Sequence, residues 1–485
     1  MYLFIGSLVI LILGYFIYGR IIEKLFVVDS NSTTPAYSQN DGVDYIPLPW
    51  WRVFLVQFLN IAGLGPIFGA VAGAMWGPVA FLWIALGCVF AGAVHDFFCG
   101  MLSLRNNGLS ISEVIGKYLG LGMKQFMRVI TVVLLIMVGV VFIMGPAKIL
   151  AELTEGWGSM TMWVAVIFIY YLVATLLPID KIIGKLYPVF GFVLLFMAVS
   201  ILASMWYQGV RIPDWNVGLT NNFHNNPSGF PIFPMLFVTI ACGAISGFHA
   251  TQSPLMSRCL QNENQGRRVF YGAMIVEGIV ALIWAAVSMS FFGGISELNE
   301  IMIANGNNAG FIVNEISVGL LGTFGSILAV LGVVAAPITS GDTAFRSARL
   351  IISDFMKMEQ GAIKNRLIIC LPLFAIAWVM TQIDFGIIWR YFAWLNQVVA
   401  TVVLWGVSVY LVQQAKNFWI TLIPAIFMSM VVFTYFLFAG EGLGWSYEWA
   451  LGIGSVITLA LTVYFAWYTV KLNRRRSGSF KAVTE

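Results

Sequence analysis

Ile240-Ala241-Cys242-Gly243-Ala244-Ile245-Ser246-Gly247-Phe248-His249-Ala250-Thr251-Gln252-Ser253-Pro254 lies inside an apolar run of spanning length, 232–256. An ordinary lipid-facing helix would avoid such a stretch. Glycine loosens a helix, and proline removes a donor and clashes with the preceding turn. Backbone groups freed in hydrocarbon are costly unless they line a protein cavity. Within such a cavity the freed carbonyls can hold a cation, and a half-helix N-terminus can hold an anion. Gln57-Phe58-Leu59-Asn60-Ile61-Ala62-Gly63-Leu64-Gly65-Pro66, inside the run 52–75, reads the same way. A plainer reading makes the glycines close-packing sites and the prolines kinks. The two stretches lie five spans apart and run in opposite directions, which favours interrupted helices in an inverted repeat.

Composition requires the membrane. Of 485 residues, 60% are hydrophobic and only 10% are charged, against about 25% charged in soluble domains. Runs of about 20 apolar residues cross a ~30 Å core. The chain reads as an all-α polytopic membrane protein with about 13 transmembrane helices: 2–19, 52–75, 78–104, 127–149, 161–178, 187–207, 232–256, 270–292, 322–345, 367–382, 385–412, 418–438 and 446–470. Residues 2–18 lack a basic leader and a small-residue cleavage site, so they read as a retained first span. Threading these spans with the N-terminus outside and the C-terminus in the cytoplasm places all but Lys148, Arg211 and Arg390 of the 26 basic residues inside.

The expected organisation is a span and inner loop over 1–50, a five-helix repeat over 51–207, an outer loop over 208–231, an inverted five-helix repeat over 232–412, and two closing helices with a basic tail over 413–485. Residues 310–321 are expected to lie along the outer surface as an amphipathic helix.

The interrupted stretches supply the candidate substrate residues: Asn60, Gly63, Gly65, Ser246, Phe248, His249 and Gln252. In the ninth span, Ala335-Ala336-Pro337-Ile338-Thr339-Ser340-Gly341-Asp342 offers hydroxyl and carbonyl oxygens beside a kink, as a hard cation requires. Ala62, Ala336, Thr339 and Ser340 are the candidate Na⁺ site. Against this stands the common habit of membrane Ser and Thr to bond back to helical carbonyls. Ionisable groups at membrane depth usually face a cavity or a partner. His95, Asp96 and Asp342 are therefore candidates for ion coupling, and Glu277 for a relay or a paired carboxylate. The alternative for Asp96 is a structural hydrogen bond.

Five cysteines without a C-x-x-C pair, and three histidines, suggest no Cys/His metal cluster. There is no Walker loop and no hydrolase or redox motif. No cofactor, nucleotide or nucleic acid is expected, the chain is not an enzyme on this reading, and an ion gradient of Na⁺ or H⁺ is the expected energy source.

Residues 61–66, Cys88–Phe98, Ser112–Gly120, Ile240–Pro254 and Thr339–Arg349 together resemble the carbon starvation protein A (CstA) family of transporters. The resemblance implies a LeuT-like fold, a 5+5 inverted repeat with one extra N-terminal and two extra C-terminal helices. It also implies uptake of small carbon and nitrogen solutes, peptides or pyruvate. Asn60 to Gly65 is similar to the unwound stretch of sodium-coupled members of that fold, with Pro66 a departure from it. The expected activity is ion-coupled symport at the inner membrane, among lipid, of a peptide, pyruvate or amino acid. A passive solute channel and an amino-acid:cation symporter are the alternatives.

Overall fold

The computed structural model describes residues 1–154, 156–176 and 183–484, and these are helical with no strand. Among them, nine helices are long and apolar enough to cross a membrane. The pair Trp50–Ile61 and Gly65–Trp76, bent by 45°, makes a tenth. Three other expected spans are helical but short or broken, so length alone does not count them. One is Met160–Leu176, whose expected last residues, 177–178, lie outside the described ones. Another is the run 232–256. The third is divided between Ala309–Ala329 and Ala335–Met356.

Both long interrupted stretches do leave the helix. The first breaks over 62–64, and Pro66 falls in the first turn of the next piece, where a missing N–H matters least. The second leaves helical geometry at Ile240 and resumes it at His249–Ser257. Two further turns rest on glycines with positive φ. Gly120 (86°) separates a short helix from the span that follows it, and Gly322 (60°) ends the expected surface helix before the ninth span.

Helix packing exchanges in pairs when the two halves are swapped, as an inverted repeat requires. Ala93–Arg105 packs on the downstream half-helix His249–Ser257, and Gly272–Phe291 packs on the upstream half-helix Gly65–Gly73. Ile183–Tyr207 packs on Trp50–Ile61, while Phe385–Gln413 packs on Phe237–Thr239 and His249–Ser257. Ile111–Leu153 and Ala335–Met356 pack on each other.

Loop contacts sort the chain into two ends. Asp214 accepts hydrogen bonds from the N–H groups of Tyr2 and Leu3 (2.7 and 3.0 Å), which fixes the first helix to the loop 208–231. At the other end Arg105 pairs with Glu263 (2.6 Å) and donates to Val27 O (2.6 Å), and Lys416 donates to Phe26 O (2.9 Å). The basic loops thus gather at one end, opposite the start of the first helix.

At that end residues 27–49 form a strap across the bundle. Leu48 N–H donates to Cys259 O (3.0 Å), and buried Asp44 pairs with Arg346 (3.0 Å) and Arg349 (2.9 Å) of the ninth span. Arg258 lies over the Tyr45 ring and donates to Gly108 O. Burial alone would raise the Asp44 carboxyl, but Arg349, Arg346 and Arg258 outweigh it and hold it at about 2. A depressed folded value means the stabilisation is complete above about 4, the ordinary aspartate value, and is lost only as pH falls through about 2. The strap should therefore hold equally well from pH 5 to 8. Asp44→Asn leaves two buried guanidiniums short of an anion and is expected to destabilise by about 3–5 kcal/mol. Thermal unfolding of the detergent-solubilised variant checks this, and an unchanged midpoint would remove the ion pair from the list of what holds the strap.

Candidate functional site

The downstream break exposes backbone polar groups that no helix ladder satisfies, and one residue on the helix Phe385–Gln413 takes up two of their N–H groups. Asn396 Oδ1 accepts from Phe248 N–H (2.8 Å) and from the Ser246 hydroxyl (3.1 Å), and Asn396 O accepts from Gly247 N–H (3.0 Å). Gln397 Nε2 donates to Ile245 O (3.2 Å), and Trp83 Nε1 donates to Ile240 O (3.1 Å). The approach is so close that a Cβ on Gly247 would lie 2.4 Å from Asn396 O. Asn396 and Gln397 were not among the expected site residues. Their signal is an adjacent pair of amides in an otherwise apolar span, which is expensive unless each finds a partner.

The upstream break is held from the ninth span. The Ser340 hydroxyl lies 2.9 Å from Leu59 O and 3.0 Å from Ala336 O, sharing one proton between them. Ser340 thus meets the upstream break, whereas the Thr339 hydroxyl turns back to Ala336 O (2.6 Å) within its own helix. Phe142 sits against Gly63 and packs edge-on to Phe248, with ring centroids 5.9 Å apart, so the two breaks meet across an aromatic contact. Gln57 Nε2 donates to Ser253 Oγ (3.1 Å) and ties the two broken helices directly.

Five amides at the breaks keep a buried atom without a partner, Asn396 Nδ2 and Gln397 Oε1 among them. Asn60 is fully buried, with neither side-chain atom hydrogen-bonded, and Gln57 Oε1 and Gln252 Oε1 are equally unpaired. Gln252 Nε2 donates to Thr251 Oγ1 (2.9 Å) and lies 3.4 Å from Ser347 Oγ. An unsatisfied buried amide costs about 1–3 kcal/mol, and these lie at the two breaks.

The ionisable candidates fall into two sets with different partners. Asp96 takes His95 Nδ1 (2.8 Å) on one oxygen and His249 Nδ1 (3.0 Å) on the other. A carboxylate only accepts, so both imidazoles carry a proton on Nδ1. His249 Nε2 faces Glu277 Oε2 at 3.5 Å, so the ring spans two carboxylates. Asp342 instead accepts from Tyr187 OH (2.6 Å), which lies 3.2 Å from Tyr170 OH, and its second oxygen is unpaired.

In this conformation Asn60, Ser246, Phe248, His249, Gln252, His95, Asp96, Ser340 and Asp342 are all fully buried. Two large cavities among the described residues lie elsewhere. One, of about 650 Å³, lies beside Tyr15, Trp50 and Ile275, and the other, of about 630 Å³, lies beside Arg211 and Asp214. The side chains at the breaks are thus shut off from solvent in this conformation.

A multi-pass helical membrane protein with two interrupted helices facing each other around buried, unpaired amides is of the transporter class. The profile of the family described as carbon starvation protein CstA matches residues 1–166 and 148–320, and the chain belongs to that family. It is 44% identical over 350 residues to an uncharacterized membrane protein of Haemophilus influenzae, covering 62% of this chain and 94% of that one. It is 30% identical over 353 residues to the peptide transporter CstA of Campylobacter jejuni, covering 58% of this chain and 49% of that one. It is 27% identical over 348 residues to the pyruvate/proton symporter BtsT of Escherichia coli, covering 58% and 48%. The chain thus spans about half the length of these two named relatives. The fold is shared with a manganese transporter of Eremococcus coleocola at TM-score 0.56 and 14% identity, over 90% of this chain and 99% of that one. The two named relatives and this neighbour are transporters, not enzymes.

A Cβ added at Gly65 would lie 2.2 Å from Cys242 Sγ and 2.4 Å from its Cβ, where the upstream half-helix crosses the downstream break. Gly65→Ala should sharply reduce the yield of monodisperse protein, and adding Cys242→Gly in the same chain should recover much of it. Equal yields of wild type and Gly65→Ala in size-exclusion chromatography would show that the crossing is looser than described.

Proposed function

We propose that this chain is an ion-coupled symporter that imports a small polar solute of the peptide or pyruvate kind by alternating access. The observation that carries the reading is Asn60, whose amide is fully buried beside the upstream break with no partner for either atom. A bound solute supplies what Asn60, Gln57 and Gln252 lack. Half-helices begin at Gly65 and His249, and their N-terminal ends favour the carboxylate that both kinds of solute carry. Gly63, Phe248 and Ser246 would frame the same space. Relatives named as a peptide transporter and a pyruvate/proton symporter support the solute class.

Asp342 is the coupling group in this reading. One oxygen is fixed by Tyr187 and the other is free, so a proton can join it without dismantling the site. Asp96, with both oxygens held by imidazoles, acts as an anchor. Sodium coupling is a second reading, supported by Ser340 reaching Leu59 O, where Ala62, Ala336, Thr339 and Ser340 would surround the ion. The protein would sit in the inner membrane with its N-terminus outside and its basic loops in the cytoplasm.

Proteoliposomes loaded against imposed H⁺ or Na⁺ gradients, with labelled pyruvate and a dipeptide outside, test the proposal. Concentrative uptake of one solute driven by the proton gradient is expected. Asn60→Leu should lower uptake at least roughly tenfold, as loss of a buried polar partner does, and Asp342→Asn should allow exchange but not accumulation. Uptake that equilibrates without accumulating would indicate a channel, and accumulation driven by Na⁺ alone would move coupling to Ser340.

A further inference from the structure

Cys242, His249 and Glu277 form a cluster that neither solute binding nor coupling uses. All three are fully or almost fully buried, and one ligand atom from each lies within 4.8 Å of the others. Cys242 lies within the downstream break and His249 at its end, and Glu277 faces them from the helix Gly272–Phe291. The Asp96 carboxylate holds the proton of His249 on Nδ1 at 3.0 Å. Nε2 is left as a lone pair, aimed at Glu277 Oε2 3.5 Å away, and neither Nε2 nor either Glu277 oxygen has a hydrogen-bond donor. A lone pair facing a carboxylate in a dry interior is repulsive unless something positive lies between them.

We propose that this something is a divalent transition-metal ion of the zinc class, bound by Cys242 Sγ, His249 Nε2 and the Glu277 carboxylate. A tetrahedral ion with bonds of about 2.0–2.1 Å to nitrogen and oxygen holds two such ligands about 3.4 Å apart, close to the 3.5 Å observed. The thiol completes the set by a small side-chain rotation that gives up only its weak 3.6 Å contact with Ser246 Oγ. A single proton would bridge Nε2 to one oxygen and leave the other Glu277 oxygen and the thiol unanswered. Sulfur, nitrogen and oxygen donors together select borderline-soft ions over Mg²⁺ or Ca²⁺. The carboxylate behind the ligating imidazole, Asp96, is the partner that fixes its tautomer and orientation in such sites. The ion would clip the interrupted helix to Glu277 and so brace the break from a helix other than the one that carries Asn396.

The test needs no transport. The full chain is purified without a histidine tag, stripped with chelator, checked for monodispersity and titrated with Co²⁺. Uptake of about one ion per chain, with a near-ultraviolet thiolate-to-cobalt charge-transfer band and visible bands of a tetrahedral ion, is expected. Cys242→Ser should abolish the charge-transfer band. Glu277→Gln, which keeps the shape of the side chain, should weaken Co²⁺ binding at least tenfold, and Asp96→Asn should weaken it by roughly 10–100-fold. Cys99→Ser, a buried thiol 3.8 Å from His95 Nε2 but outside the triad, should bind as wild type does. Folded wild-type protein that takes up no stoichiometric Co²⁺, or a charge-transfer band that survives in folded Cys242→Ser, would overturn the site and leave a shared proton between His249 and Glu277. The symport proposal stands or falls separately, on uptake.

Discussion

The nine residues of main chain from Ile240 to Phe248 leave the regular helix in the interior of a membrane bundle, and the packing around them answers to that fact. Water cannot satisfy them and lipid offers nothing. Asn396 answers from the facing helix with its side-chain oxygen and its own carbonyl, taking Phe248 N–H, Gly247 N–H and the Ser246 hydroxyl. Gln397 and Trp83 take carbonyls at Ile245 and Ile240. The break is thereby a built element rather than a local failure of the helix.

That constraint sets the packing around it. Glycine is needed at Gly247 because Asn396 O comes so near, and at Gly92 because a Cβ would meet Ala244 O at 2.2 Å. The upstream break is less demanding, with three residues out of helix and a bend of 45°, and the single hydroxyl of Ser340 reaches its last helical turn. The asymmetry is chemically sensible. A short break leaves few groups to satisfy, while the long break leaves more main chain to be secured by facing helices. Closure at the basic end comes from a different source, the buried Asp44 between Arg346 and Arg349. The strap is thereby tied to the helix Ala335–Met356, which also carries Ser340 and Asp342.

Much of this was legible in the residues. Glycine, serine and proline inside apolar runs located both breaks, because those residue types have local consequences for a helix. The positions of lysine and arginine gave the two ends of the bundle, which Asp214 with Tyr2 and Lys416 with Phe26 bear out in contacts. What stayed hidden depends on which helices meet. Nothing in the sequence near Asn396 says that it faces residue 248, and Asp44, in a polar loop, looks like any solvated aspartate until Arg346 and Arg349 are placed against it. The hydroxyl of Thr339 illustrates the reverse case. Its type suits a cation, but the helical carbonyl of Ala336 lies closer to hand.

Hydrogen exchange of the segment 240–249 measures the central claim directly, since these amides lie outside regular helix yet are said to be held. In detergent or nanodiscs the Gly247 and Phe248 amides of the wild type should exchange as slowly as those of the neighbouring helix Gly272–Phe291, and Asn396→Ala should release them while that helix stays protected. Rapid exchange of Gly247 and Phe248 in the wild type, at the rate of an open loop, would contradict the idea that Asn396 secures the break.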